Sequence, residues 1–155
     1  MKNTVTVFRF TMIAASLMMI MSCSKSYNNN NSNPSTTADF QTSLVKGSWT
    51  IGSYTQKTED KTSQFAGAVF TFAKDGTVSV TQNGTTTSGT WSYAASVPGY
   101  YGGPATAASM VLAVGTQAPL NRLSKTWNIE SSSSSSISLV NPEVSEDERA
   151  RFSHQ

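Results

Sequence analysis

The stretch Phe70-Thr71-Phe72-Ala73-Lys74-Asp75-Gly76-Thr77-Val78-Ser79-Val80-Thr81-Gln82-Asn83-Gly84 decides the fold. Apolar and polar residues alternate through it. In extended chain this puts Phe70 with Phe72, and Val78 with Val80, on one face, and Thr77, Ser79 and Thr81 on the other. Asp75-Gly76 and Asn83-Gly84 are hairpin signals, because tight hairpin turns need residues that accept a positive φ.

The same alternation runs outward in both directions. Upstream, Ser48 to Gln56 sets Trp49 and Ile51 on one face. Downstream come Trp91 with Tyr93, then Met110, Leu112 and Val114, then Trp127 with Ile129, Ile137 with Leu139, and Ala150 with Phe152. Eight short segments thus have one apolar and one polar face, the pattern of antiparallel sheet with one face buried. Eight such strands in succession suit an all-β, up-and-down antiparallel β-barrel, which removes exposed edges by closing. A β-sandwich is the alternative.

Between the segments, Thr55 to Gln64 is polar and charged and reads as an open loop. The 94–109 connection holds Pro98, Gly99, Tyr100, Tyr101, Gly102, Gly103 and Pro104, long for a hairpin loop in so small a domain. Ser131 to Ser136 is a run of serines and reads as a flexible turn, and Asn141 to Glu148 carries Pro142 and four acids. Before the first strand, Ala38 to Val45 puts Phe40, Leu44 and Val45 on one helical face; Thr37 or Asp39 caps this short turn and Gly47 ends it.

The N-terminus is an address. Lys2 and Arg9 precede about a dozen mostly apolar residues, Phe10 to Met21, the length of a signal-peptide core and too short to span a bilayer. Ile20-Met21-Ser22-Cys23 resembles a bacterial lipobox, with a branched aliphatic three residues before the cysteine and a small residue next to it. The resemblance implies a lipoprotein signal peptide over 1–22, acylation of Cys23 and anchoring to a membrane through acyl chains. Residues 23–37 then form a tether: after Cys23 they hold no aliphatic side chain except what Pro34 offers, and they bury too little to offset their ordering entropy. The domain is 38–155.

Composition narrows the function. The net charge of +2 comes from 11 basic against 9 acidic side chains; without Lys2 and Arg9 the chain is balanced. No basic surplus remains to attract nucleic acid. One Cys and one His exclude a disulfide framework and a zinc module. Glu143, Glu146, Asp147 and Glu148 match no calcium loop and read as a solvated connection. His154 is penultimate, where packing rarely holds a catalytic base. No nucleophile motif or phosphate loop occurs. The expectation is a non-enzyme with no cofactor and no metal.

Gly47-Ser48-Trp49 after a helical stretch, Asp75-Gly76-Thr77, Ser88-Gly89-Thr90-Trp91, Trp127-Asn128-Ile129 and a closing Arg149-Ala150-Arg151-Phe152 together resemble the lipocalin-like domain lipoproteins of Bacteroidetes-type bacteria. The resemblance covers about Leu44 to Gln155. It implies a lipocalin-like barrel with a floor tryptophan, here Trp49, packed against an arginine of the last strand, Arg149 or Arg151. Cation–π stacking supplies the physical reason. Phe70, Phe72, Trp91, Tyr93 and Trp127 either line a cup for a small apolar or amphipathic ligand or fill the barrel, since an eight-stranded interior is only slightly wider than its side chains need. Tyr100 and Tyr101 are rim-loop candidates, for that ligand or for an envelope protein partner. Ser24 after the anchor is not the Asp that marks inner-membrane retention, so the expected place is the outer membrane, facing the periplasm.

Overall fold

The computed structural model describes residues 37–99 and 101–155. The expected signal peptide, Cys23, the tether up to Thr36, and Tyr100 lie outside the described residues.

Helix α1 spans Thr37–Leu44, followed by β1 (Trp49–Gln56), β2 (Glu59–Asp60), β3 (Val69–Phe72), β4 (Thr77–Gln82), β5 (Thr85–Ala94), β6 (Ser109–Ala113), β7 (Thr126–Ser132), β8 (Ser136–Val140) and β9 (Glu148–His154). Neighbours in the order β1-β3-β4-β5-β6-β7-β8-β9 are hydrogen-bonded, and β9 returns to β1, with β2 as a tab on β1. Every pairing is antiparallel. The β1–β9 seam runs from Trp49↔His154 to Gln56↔Glu148. This closure makes the sheet an eight-stranded up-and-down barrel and overturns the sandwich alternative. A sandwich would leave β1 and β9 as edges with unpaired backbone groups.

Each expected strand is present, and its apolar face points inward. Phe70, Phe72, Val78, Val80, Met110, Leu112, Trp127, Ile129, Ile137, Leu139, Ala150 and Phe152 are all buried. Each large side chain so buried is worth about 1.5–3 kcal/mol. The turns form where Asp-Gly and Asn-Gly predict them: Gly76 and Gly84 take φ of +85° and +77°. The serine run is no loose loop. Ser131 and Ser132 end β7, Ser136 opens β8, and Ser133 Oγ accepts from the backbone N–H groups of Ser135 and Ser136.

Strand direction alternates, so the connections 73–76, 95–108 and 133–135 gather at the end where α1 enters, and 57–68, 83–84, 114–125 and 141–147 at the far end. Thr55 to Gln64 departs from the open loop expected. It folds into a β1–β2 hairpin, Thr55↔Asp60 and Gln56↔Glu59, then a 3-10 turn, Thr62–Phe65. The reason lies at the β1–β3 seam, which holds only the pair Trp49↔Phe70. Beyond it Tyr54 lacks a β3 neighbour. The turn supplies one: Thr62 Oγ1 accepts from Tyr54 N–H at 2.9 Å, and Phe65 packs its ring 5.0 Å from that of Tyr54.

Candidate functional site

The α1 end is built on tryptophan and tyrosine contacts. Trp49 is fully buried, and its indole N–H donates to Leu44 O at 2.8 Å. The ring that meets it edge-on is His154, with centroids 5.0 Å apart. Arg149 and Arg151 do not reach Trp49. They alternate with the inward Glu148, Ala150 and Phe152, so both project outside the barrel. There Arg149 pairs with Glu130 at 2.8 Å, and Arg151 donates to Ser136 Oγ at 3.0 Å. The arginine expected at the floor is thus replaced by a histidine. The last strand runs one pair further than its apolar residues show, and His154 Nε2 lies 2.8 Å from Lys46 O. Strand pairing, one ring edge and one backbone carbonyl thus fix this penultimate residue, which stays exposed to solvent. Gly47 is the residue that leaves room for it. Its φ is +73°, and a Cβ there would stand 2.7 Å from the His154 ring.

The ligand-lining candidates divide. Phe70, Phe72 and Trp127 are at most 2% exposed. Ring centroids lie 5.2 Å apart for Phe70–Phe152, 6.0 Å for Phe72–Phe152 and 5.9 Å for Phe72–Trp91, in edge-to-face geometries that fill a core. Trp127 N–H donates to Leu123 O at 3.0 Å. These three side chains belong to the filling of the barrel. Tyr93 is half-buried and stacks on Phe40 of α1 with centroids 4.7 Å apart. Trp91 donates its N–H to Ala73 O at 2.9 Å, yet one edge borders a surface cleft of about 210 Å³ formed with Gln41, Thr42, Val45 and Lys74.

The 94–109 loop also sits at the α1 end. An isolated bridge, Val97↔Thr106, extends the β5–β6 hairpin beyond the barrel wall. Tyr101 stands at its tip, wholly exposed, in a left-handed backbone conformation (φ +53°). Val97 nearby is half exposed.

The far end holds a group of residues that alternation and composition overlooked. Glu148 is 2% exposed. Its carboxylate accepts from Tyr54 O–H at 2.7 Å, from Asn141 Nδ2 at 2.7 Å and from Lys125 Nζ in a short ion pair. Burial by itself raises the carboxyl pKa. The three donors outweigh it and hold the group below its ordinary value. Burial, then the bond to Glu148, push the Tyr54 hydroxyl well above the usual tyrosine range. Gln56 Oε1 accepts from Lys61 Nζ at 2.8 Å and Arg122 Nη1 at 3.1 Å. Phe65 and Leu123 are buried beneath this polar layer. Glu143, Glu146 and Asp147 stay in water as expected, but Glu148 does not belong with them.

No known family's sequence pattern matches the chain, and no curated protein matches it. Among solved structures, a lipocalin-like protein from Bacteroides uniformis aligns with a TM-score of 0.46 at 17% identity, over 72% of this chain and 99% of that one.

Proposed function

We propose that the chain is a lipid-anchored, non-catalytic binding protein of the bacterial cell envelope, held in the outer membrane through Cys23 and facing the periplasm. It takes a small apolar or amphipathic molecule at the α1 end, outside the packed barrel interior. The observation that carries this reading is the cleft beside Trp91. The indole edge and Val45 offer apolar contact, Gln41 and Thr42 offer hydrogen bonds, and the Lys74 ammonium suits an anionic head. Its volume of about 210 Å³ falls below the ~300 Å³ at which drug-sized sites begin. It fits a short molecule or one end of a longer one.

Native mass spectrometry of the chain purified from membranes in mild detergent tests the reading. A small molecule retained one-to-one, and lost when Thr42→Trp fills the cleft, is the expected result. Equal retention by both proteins, or none by either, overturns it. Palmitate labelling that persists in Cys23→Ser overturns the anchor.

The exposure of Tyr101 and Val97 favours a second reading, in which the 94–109 loop docks an envelope protein partner. Crosslinking in cells that gives the same products with Tyr101→Ser argues against it.

A further inference from the structure

We propose that the 94–109 loop is a membrane-contacting finger, whose Tyr101 and Val97 enter the headgroup layer of the lipid surface to which Cys23 is tied. The proposal rests on the acylation of Cys23 proposed above, and it gives this loop a lipid surface in place of a protein partner.

Among the described residues four large hydrophobic side chains are exposed, and three of them, Val97, Tyr101 and Val111, belong to the β5–β6 hairpin and its loop. The fourth, Val144, is at the far end. Exposed apolar residues scattered singly need no explanation, but these three share one hairpin. Charge is missing from the same place. Gly76 to Asn121 holds no Asp, Glu, Lys, Arg or His, although about a quarter of an ordinary chain is charged. That run supplies β4, β5, β6 and the loop, so the charged side chains of the described residues all lie elsewhere.

Position favours lipid over protein. The Val97↔Thr106 bridge, with backbone bonds of 3.2 and 2.9 Å, carries the loop past the Ala94↔Ser109 pair at the barrel rim. The chain enters at that same end: Thr37 opens α1, and only residues 24–36 separate it from Cys23. With Cys23 acylated, the α1 end is therefore the end nearest the anchor along the chain. A stable protein complex takes about 800 Å² from each partner. A narrow finger with one ring at its tip suits shallow insertion instead. Tyrosine, with an apolar ring and a polar hydroxyl, is enriched at the level of lipid headgroups. Loop N–H and C=O groups without backbone partners stay hydrated at that depth, as the hydrocarbon core would not allow. Besides His154, the charged side chains of this end are Lys46 and Lys74 against Asp39 and Asp75. They balance, so the contact is apolar rather than an attraction to anionic lipid. A weak affinity suffices, because docking is intramolecular once the chain is held at the surface.

Tryptophan fluorescence of the full chain, purified from membranes and reconstituted in phosphatidylcholine vesicles with or without brominated acyl chains, tests this. Trp49 and Trp127 are wholly buried and Trp91 nearly so, and the wild-type chain sets their background. Tyr101→Trp puts an indole at the fingertip. Thr58→Trp at the far end and Ser134→Trp on another connection of the α1 end put the same indole at exposed positions off the finger. The expected result is that the Tyr101→Trp indole emits further to the blue on vesicles and loses emission to brominated lipid. The Thr58→Trp indole does neither, and the Ser134→Trp indole is quenched less. Val97→Asp added to Tyr101→Trp abolishes the blue shift and the quenching, whereas high salt or added phosphatidylglycerol leaves them unchanged. The proposal is overturned if Tyr101→Trp is quenched no more than Ser134→Trp, if Val97→Asp leaves it quenched, or if high salt releases it. A blue shift that appears on native membranes but not on pure lipid also overturns it and assigns the loop to a protein. Flotation with the vesicles reads the anchor separately. A chain that floats with an unquenched tip keeps the anchor and loses the finger, and a chain that does not float loses both.

Discussion

At the α1 end, indole N–H groups meet single backbone carbonyls, Trp49 on Leu44 and Trp91 on Ala73, and Phe40 stacks on Tyr93. At the far end, one carboxylate holds three donors from three different strands and loops, and a second layer of cations sits on Gln56. The first closure is a set of separate contacts around an apolar plug. The second is a network in which each polar group is satisfied only while the others stay in place. Damage to the α1 end therefore scales with the volume removed, and damage to the far end depends on which partner is left behind.

The largest effect is expected from Trp49→Ala. It empties a fully buried site and costs about 3–5 kcal/mol in chemical denaturation. Trp49→Phe keeps most of the volume and leaves Leu44 O without its donor, so a smaller loss of about 1–3 kcal/mol is expected. If the two variants lose the same stability, volume is not what closes this end.

Glu148→Ala comes next, at about 2–4 kcal/mol, because Tyr54 O–H and Asn141 Nδ2 are left buried without their acceptor. Here the network makes a distinctive prediction. Tyr54→Phe added to Glu148→Ala costs less than Tyr54→Phe alone, with a coupling of about 0.5–3 kcal/mol. Strict additivity in the double-mutant cycle would show that the far end is no network.

The same carboxylate sets an acid limit. Its folded pKa lies below the ordinary value of 4.5. The unfolded chain therefore binds the proton first, and the stabilisation is fully present above that pH. It is lost as pH falls through the lower folded value. Thermal melts from neutrality down to acid should fall more steeply below the ordinary carboxyl pKa of 4.5 for wild type than for Glu148→Gln, whose amide does not titrate. Parallel curves would place the acid sensitivity elsewhere.

The two ends also differ in how much of them the sequence discloses. Phe70, Phe72, Val78 and Val80 keep strict alternation between Asp-Gly and Asn-Gly turns, so strands, turns and burial follow from one pattern. The number of such segments suits closure but suits two stacked sheets as well; the β1–β9 pairing decides between them. Tyr54 escapes that pattern because β1 is bulged between Ile51 and Ser53, which moves the inward face from odd to even residues. Glu148 escapes for a different reason. Alternation back from Phe152 and Ala150 points to it, but its residue type and acidic neighbours argue for water, and the donors that overrule them, Tyr54, Lys125 and Asn141, are scattered along the chain. The outward course of Arg149 and Arg151 is the same alternation seen from its other side. The partner of Trp49 is obscured because a histidine at a chain end gives no apolar signal for the strand that holds it.

The bulge is where the two chemistries meet, and its glycine gives the smallest and most discriminating test. Gly52 is not in a positive-φ conformation, so alanine is allowed by the backbone. An added Cβ would collide with Ser153 Oγ, while Ser153 Cβ and Arg151 O remain at 3.4 and 3.7 Å. The obstacle is thus one rotatable hydroxyl. Gly52→Ala alone is expected to change stability by less than about 1 kcal/mol, because the cost of turning that hydroxyl away offsets much of the entropic gain. With Ser153→Ala the obstacle is gone, and the pair should be more stable than Ser153→Ala by about 0.4–1 kcal/mol, the gain from restricting the unfolded chain. A clear loss in both backgrounds would mean that the bulge needs glycine itself. The turn of β1 from Trp49's apolar end to the polar end of Tyr54 and Gln56 would then depend on backbone freedom rather than on the contacts made on either side of it.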